Sequence, residues 1–571
     1  GNLVTMAWWD DLWLNEGFAN WMQTFCSDKL HPEWRIWESY VAEEQQNALR
    51  LDAMRSSHPI QVPIGKAETV EEVFDAISYC KGGSVVRMIY AVLGEKSFQE
   101  GLRIYFKRHQ YGNTETTHLW QAWKEASGKP VDEMMGSWTC KMGFPVLKVL
   151  GDPLQSGADE VEVEQSWFLA DGSVEAGDAD SKWMVPIFVG SDVKSASEVT
   201  FMSEKKQKIP LQGAGAGAKW LKLNLGQHVP TRVLYPESMI ERLAAEMQSV
   251  PVEDRIGLLS DTFALSKAGL VDVASIGKLL CGFKGEKNDK VWSELIGTIG
   301  GLEKVVLLGL PQEVADAFKS FASKIVSPAF LEVGWDAAPG DDDNRKKLRS
   351  LLVGAVSKYC AGEPAIAAEG VRRTEAFLAA PSDPASLGAD IRAAALAIAM
   401  QADGFEALYP RLVEAHNAVT DNAIKKDIYS ALGVCKSAAF RDKFLEWGLG
   451  EDVRAQDLIY VPMCVSAVGR EAAEQVFGWV KKDFDRIYNK LGKTSMMLFG
   501  HVVKISGLGF GTEEKAKEVK DFWAAQEVYD KVERSVSQTV EGILTNSKFV
   551  ARLQASQLAK TEFWTGAVSK L

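Results

Sequence analysis

Residues Ala7 to Trp21, AWWDDLWLNEGFANW, constrain this chain more than any other stretch. Trp8, Trp9, Trp13 and Trp21 crowd around a single Glu16, with Asp10 and Asp11 just upstream. So many indoles in one place call for a rigid, dry wall, because each ring removes a large apolar surface from water. Downstream, Phe18, Trp21, Met22, Phe25 and Cys26 recur at helical spacing. Glu16 is therefore predicted near the start of an amphipathic helix whose buried face is aromatic. From the residues alone Glu16 has two readings. Asn20, Gln23 and Ser27 share its helical face, which describes a solvated polar stripe, and acids favour helix N-termini in any case. The other reading is a metal ligand at the edge of a cleft.

The 571 residues suffice for several domains with large cores. A net charge of −13 argues against a nucleic-acid-binding surface, which needs a basic stripe. No apolar run is long enough for a membrane span. The seven cysteines are scattered without CxxC spacing, the pattern of reduced, mostly buried thiols, which favours a cytoplasmic home. The seven histidines are scattered too, and none pairs with another at helical metal spacing, so each reads as a surface or core-edge side chain.

Along the chain, residues 1–143 read as helical. Thr69-Val70-Glu71-Glu72 is a capping box, and Gly82-Gly83 interrupts an apolar helical pattern in a way that lets another element come close. From 144 to 236 the runs are short: Leu147 to Leu150 is strand-like, Val161, Val163 and Trp167 alternate with period two, as do Leu221, Leu223 and Leu225, and Trp183 to Val189 and Arg232 to Tyr235 are further short runs. With turns between them, they predict a small antiparallel β-sandwich. Within it GAGAGAK at 213–219 lacks the Gly-Lys-Ser/Thr ending of a phosphate loop and reads as a flexible hairpin loop. From 237 to 571 modest helices follow in series, as in a curved solenoid of helix pairs. Asp341-Asp342-Asp343-Asn344 lacks calcium-loop spacing and reads as a solvated acidic turn. The predicted architecture is thus multidomain α with a small β domain.

GNLVTMAWWDDLWLNEGFANW resembles the segment just after the zinc motif of the gluzincin aminopeptidases, with the puromycin-sensitive type the nearest likeness. SHPIQVPIGKAETVEEVFDAISYCKGGSVVRMI and ASGKPVDEMMGSWTCKMGFPVLKV are similar to the same family, as are WLKLNLGQHVPTRVLY and, more loosely, FGTEEKAKEVKDFWA. The resemblance implies that residues 1–143 are the C-terminal part of a thermolysin-like catalytic domain, and that the chain begins downstream of its own His-Glu-x-x-His helix. It implies that Glu16 matches the third zinc ligand. It also implies that Tyr79, in SYCKGG, matches the tyrosine whose neutral phenol donates to the oxyanion of the tetrahedral intermediate. Taken by itself, Tyr79 reads as a tyrosine at a helix edge with its hydroxyl in water.

Neither His-Glu-x-x-His nor Gly-x-Met-Glu-Asn, whose glutamate holds the substrate amine in the family, occurs in the chain. Gln23 stands where many relatives carry Glu. One carboxylate cannot hold zinc, because a catalytic site needs three protein ligands. The expectation is a portion of a zinc aminopeptidase acting on peptides with a free N-terminus, inactive and without stoichiometric zinc as these residues alone. The competing expectation is an inactive scaffold that binds peptides on a concave helical surface.

Overall fold

The computed structural model describes residues 3–65, 73–173, 175–178 and 180–568, and it is a mostly helical, multidomain α protein with small sheets. The capping box expected at Thr69 to Glu72 lies outside the described residues. Contacts divide the chain into two compact units, 1–283 and 284–571. No helix of the described residues is long and apolar enough to cross a membrane.

The first unit opens with strand β1 (Thr5–Met6), followed by helices α1 (Trp13–Leu30), α2 (Ile36–Tyr40), α3 (Gln46–Asp52) and α4 (Gly82–His109). A π-helical turn, Val41–Gln45, joins α2 to α3, and another, Ile77–Lys81, leads into α4. Helix α4 is kinked at Gly94, where φ is +75°. Strand β2 (Asn113–Thr114) pairs in parallel with β1, and α5 (Thr116–Ser127) and α6 (Val131–Thr139) follow. Aromatic contacts weld α1, α4 and α5 together: Trp21 to Phe98 at 5.1 Å, Phe98 to Trp123 at 4.8 Å and Trp13 to Trp120 at 5.6 Å between ring centroids.

The buried stripe of α1 differs from the one expected. It runs Trp13, Gly17, Asn20, Trp21 and Thr24, while Cys26 is exposed. The polar face thought to be solvated is therefore half interior. The cause is Gly17. A Cβ there would lie 2.8 Å from the carbonyl carbon of Gly82, and one on Gly82 would lie 3.1 Å from Gly17 Cα. The two helices cross backbone to backbone, and what lies beside Gly17 on α1 is covered by α4. The close approach anticipated from Gly82-Gly83 is that of Gly17. Gly17→Val is expected to cost about 1–3 kcal/mol, because backbone on the other side cannot yield as a side chain can. A denaturation midpoint within error of the wild type would contradict this.

Past α6 the chain turns to strands β3 (Pro145–Val149), a four-residue helix α7 (Pro153–Ser156), and then β4 (Glu160–Trp167), β5 (Val185–Ile187), β6 (Gly190–Ser191), β7 (Thr200–Met202), β8 (Lys206–Pro210), β9 (Leu221–Lys222) and β10 (Arg232–Leu234). One four-stranded sheet has the order β10-β3-β4-β8, with β10 parallel to β3 and the other pairs antiparallel; β5-β7 and β6-β9 are separate antiparallel pairs. The Leu221-Leu223-Leu225 alternation is not a strand throughout. β9 stops at Lys222, Asn224 takes a left-handed φ of 53°, and Leu225 begins a 3-10 turn. Lys222 and Asn224 do not face water either. Lys222 pairs with Asp254 at 3.0 Å with both side chains buried, and Asn224 exchanges hydrogen bonds with the backbone of Val229. Residues 212–217 are turns, as expected of GAGAGAK, but not a hairpin, since β8 pairs with β4 and β9 with β6. Helices α8 (Glu237–Ala245), α9 (Val252–Ala268) and α10 (Ala274–Cys281) end this unit.

In the second unit alternate helices pack on one another: Asp343–Tyr359 on Ala389–Ala399, that on Asn422–Gly433, and that on Tyr460–Ser466. The helix Asp289–Gly309 packs against Tyr529–Ala555 near the other end of the sequence. The acidic run at 341–344 leads into a helix, and Asp342 and Asp343 are exposed, as expected of a solvated acidic turn. Asp342 caps Asp343–Tyr359 by accepting from the Arg345 amide at 2.8 Å, and Asp341 is ion-paired with Arg345 and Arg349. His416, expected at a surface or core edge, is buried and bonded to the Tyr429 hydroxyl at 2.8 Å.

Candidate active site

Glu16 sits in the first turn of α1, where the free amides of the helix start favour a carboxylate. The residues before it are anchors. Asp11 is buried and accepts from Thr116 Oγ1 at 2.6 Å and Gln61 Nε2 at 2.8 Å; Asp10 accepts from the Ile64 amide at 2.7 Å. They tie the segment before α1 to the loop around residues 61–64 and to the start of α5. The four tryptophans do not form one wall. Trp13 and Trp21 are fully buried in the core, whereas Trp8 is 59% and Trp9 37% exposed. Gln23 is exposed.

Tyr79 lies in the π-helical turn Ile77–Lys81, whose other residues are buried. Such turns, energetically poor in isolation, recur at functional positions because they re-aim a side chain. This one is pinned from several sides. Asp75 Oδ1 accepts the Ile77 amide at 2.8 Å and its Oδ2 lies 2.9 Å from His58 Nε2, while His58 Nδ1 donates to the Pro59 carbonyl at 2.8 Å. Cys80 donates its thiol to Glu44 Oε2 at 2.9 Å, and Asn20 Nδ2 donates to the same oxygen at 3.2 Å. Lys81 is buried against Asp52 at 2.8 Å and donates to the Gly143 carbonyl at 3.0 Å.

With its neighbours held, the Tyr79 phenol faces the Glu16 carboxylate, which lies near enough to act on it. Burial first, and the facing carboxylate second, push the phenol up to about 12, so it stays protonated at neutral pH. The two candidates named from the sequence are therefore neighbours in the fold. The Gly17–Gly82 crossing is what brings them together: each sits within a turn of the point where the backbones touch. His58, Asp75, Asn20 and Glu44 were not anticipated. The one signal for them was the position of Asp75 just before the turn, where an aspartate side chain can satisfy free amides.

Among the described residues no three His, Cys, Asp or Glu side chains gather where a metal ion could be held. Glu16 supplies one carboxylate, and the other donors that a catalytic zinc requires are not among these residues, so the donor set does not by itself fit that metal.

The profile of the Peptidase family M1 domain matches residues 1–138, and that of the ERAP1-like C-terminal domain matches residues 220–545. The chain belongs to peptidase family M1. Curated relatives include Aminopeptidase M1 of Arabidopsis thaliana, 34% identical over 97% of this chain and 63% of the relative. The Puromycin-sensitive aminopeptidase of Caenorhabditis elegans is 33% identical over 96% of this chain and 58% of its own length. Aminopeptidase 2 of Candida albicans (strain SC5314 / ATCC MYA-2876) is 33% identical over 97% and 58%. The chain thus spans about three fifths of the length of the curated family M1 relatives it matches. Both Glu16 and Tyr79 fall within the part that matches the peptidase domain.

Proposed function

We propose that these residues are part of a zinc-dependent aminopeptidase that removes single amino acids from the N-termini of peptides, with Glu16 as a zinc ligand and Tyr79 as a donor to the oxyanion. The observation that carries this reading is the nearness of Tyr79 to Glu16 beside the α1–α4 crossing. A phenol kept neutral beside a carboxylate is a suitable donor to negative charge developing on a carbonyl bound at the same place, and such donors supply much of the rate in acyl transfer. Zinc, when bound, would polarise that carbonyl and activate water.

The two histidines and the general-base glutamate would come from outside these residues, so the 571 residues alone are read as inactive and zinc-free. Residues 1–143 would serve the catalytic part, 144–236 a β-sandwich and 237–571 a curved helical stack. The change to strand at Pro145 supports the first boundary. A cytoplasmic setting is supported by the seven cysteines, all free.

The test is metal analysis and hydrolysis of an aminoacyl anilide by the 571 residues, and by the same residues joined to a segment bearing His-Glu-x-x-His. The expected result is neither zinc nor turnover for the first, one zinc per chain and turnover for the second, and loss of zinc in Glu16→Ala of the second. Zinc-dependent turnover by the 571 residues alone would overturn the division of labour. Full zinc retention in Glu16→Ala would overturn the assignment of Glu16.

A further inference from the structure

One carboxylate besides Glu16 reaches both elements that carry the candidate pair. Glu44 lies in the π-helical turn Val41–Gln45. Its Oε2 accepts the Cys80 thiol at 2.9 Å and Asn20 Nδ2 at 3.2 Å. Cys80 is the residue after Tyr79, and Asn20 lies one turn along α1 from Glu16. A single oxygen thus ties the helix of one candidate to the turn of the other. Both donors belong to buried residues. Burial first, and the Glu44 carboxylate second, push the Cys80 thiol up to about 12, so at neutral pH it keeps the proton it donates. Helix α4 leaves room for the arrangement. A Cβ on Gly83 would lie 2.4 Å from Asn20 Oδ1 and 2.6 Å from the Tyr40 hydroxyl, so a side chain there would displace Asn20. Hydrogen bonds to an ionised acceptor are about twice as strong as neutral ones, and a π-helical turn, poorly bonded in itself, depends on such pins.

We propose that Glu44 is a positioning residue for the peptidase reaction: its Oε2 holds α1 and the turn Ile77–Lys81 in register and so sets where the Tyr79 hydroxyl stands relative to Glu16. The inference rests on the roles given to those two residues above. What the clamp requires is an acceptor at one point, not a charge. The carbonyl oxygen of a glutamine can accept both bonds, whereas alanine leaves a buried thiol and a buried amide without their acceptor and frees the turn to shift. Misplacing a catalytic group by about 1 Å can cost as much as a hundredfold in rate.

The test uses the 571 residues joined to a segment bearing His-Glu-x-x-His, as Glu44→Ala, Glu44→Gln, Tyr79→Phe and the double variant of Glu44→Ala with Tyr79→Phe. Glu44→Ala should lower kcat about tenfold to a hundredfold, with KM and zinc content little changed. Glu44→Gln should stay within about threefold of the parent. In the Tyr79→Phe background Glu44→Ala should cost at most about twofold more, because a residue that acts through the phenol then has nothing left to position. A second measurement needs no activity. The Tyr79 and Cys80 amides donate to the carbonyls of Asp75 and Ala76 at 3.1 and 2.9 Å. In the unjoined 571 residues their hydrogen exchange should quicken about tenfold in Glu44→Ala and not in Glu44→Gln. Full activity of Glu44→Ala, equal losses in the alanine and glutamine variants, or the same loss with and without the phenol would overturn the proposal. Unchanged kcat in Tyr79→Phe would refute the role of Tyr79 itself; the exchange rates then decide for Glu44 alone, faster exchange upholding the clamp and unchanged exchange overturning it.

Discussion

Asp52→Ala is expected to destabilise the first unit by about 3–5 kcal/mol, the usual cost of leaving one partner of a buried ion pair behind. The pair is Asp52 with Lys81 at 2.8 Å, and each side chain is 1% exposed. Asp52 also accepts from the Gly143 amide and the Ser57 hydroxyl, each at 3.0 Å, so its loss strips three groups at once. Lys81 would keep only the carbonyls of Lys141 and Gly143, which cannot balance a charge in the interior. Denaturant unfolding measures the loss. The informative comparison is the double variant with Lys81→Met, because replacing both charges by apolar volume is often near neutral. If the double variant is no more stable than Asp52→Ala, the cost lies elsewhere. Lys81 closes the turn that carries Tyr79, so the single variant should also loosen that turn, read as faster amide exchange at Cys80 and Lys81.

The second large effect concerns Tyr79→Phe, made in a protein that joins these residues to a complete zinc motif. On the reading proposed above, kcat should fall by about 10²–10³, the usual loss for one oxyanion donor, with KM little changed and zinc content intact. A loss confined to KM would assign Tyr79 to substrate binding. The pH dependence has a definite sign. The phenol is raised from 10.0 to about 12 in the folded protein, so the protonated form is favoured by folding. Its contribution to stability is full below about pH 10 and is lost as pH rises through about 12.

Part of this was legible in one dimension because it depends on local chemistry. Apolar spacing after Glu16 marks a helix start, Gly82-Gly83 signals a close approach, and short strand-like runs mark β3, β4 and β10. Local pattern failed where the neighbour across the fold decides what is inside. Asn20 looks like part of a wet stripe until Gly17 lets α4 cover it, and Lys222 looks like an outward strand residue until Asp254 receives it. Trp8 and Trp13, a few residues apart, end one exposed and the other buried for the same reason.

By itself the sequence determined the helix that bears Glu16, the family and the two residues worth naming, since periodicity and motif survive without a partner. Only the tertiary structure decided that those two residues lie near each other and that a π-helical turn pinned by Asp75, His58 and Lys81 carries Tyr79. Contacts between residues distant along the chain are set by how closely backbones can approach and which buried charges find a partner, and neither is written in local spacing.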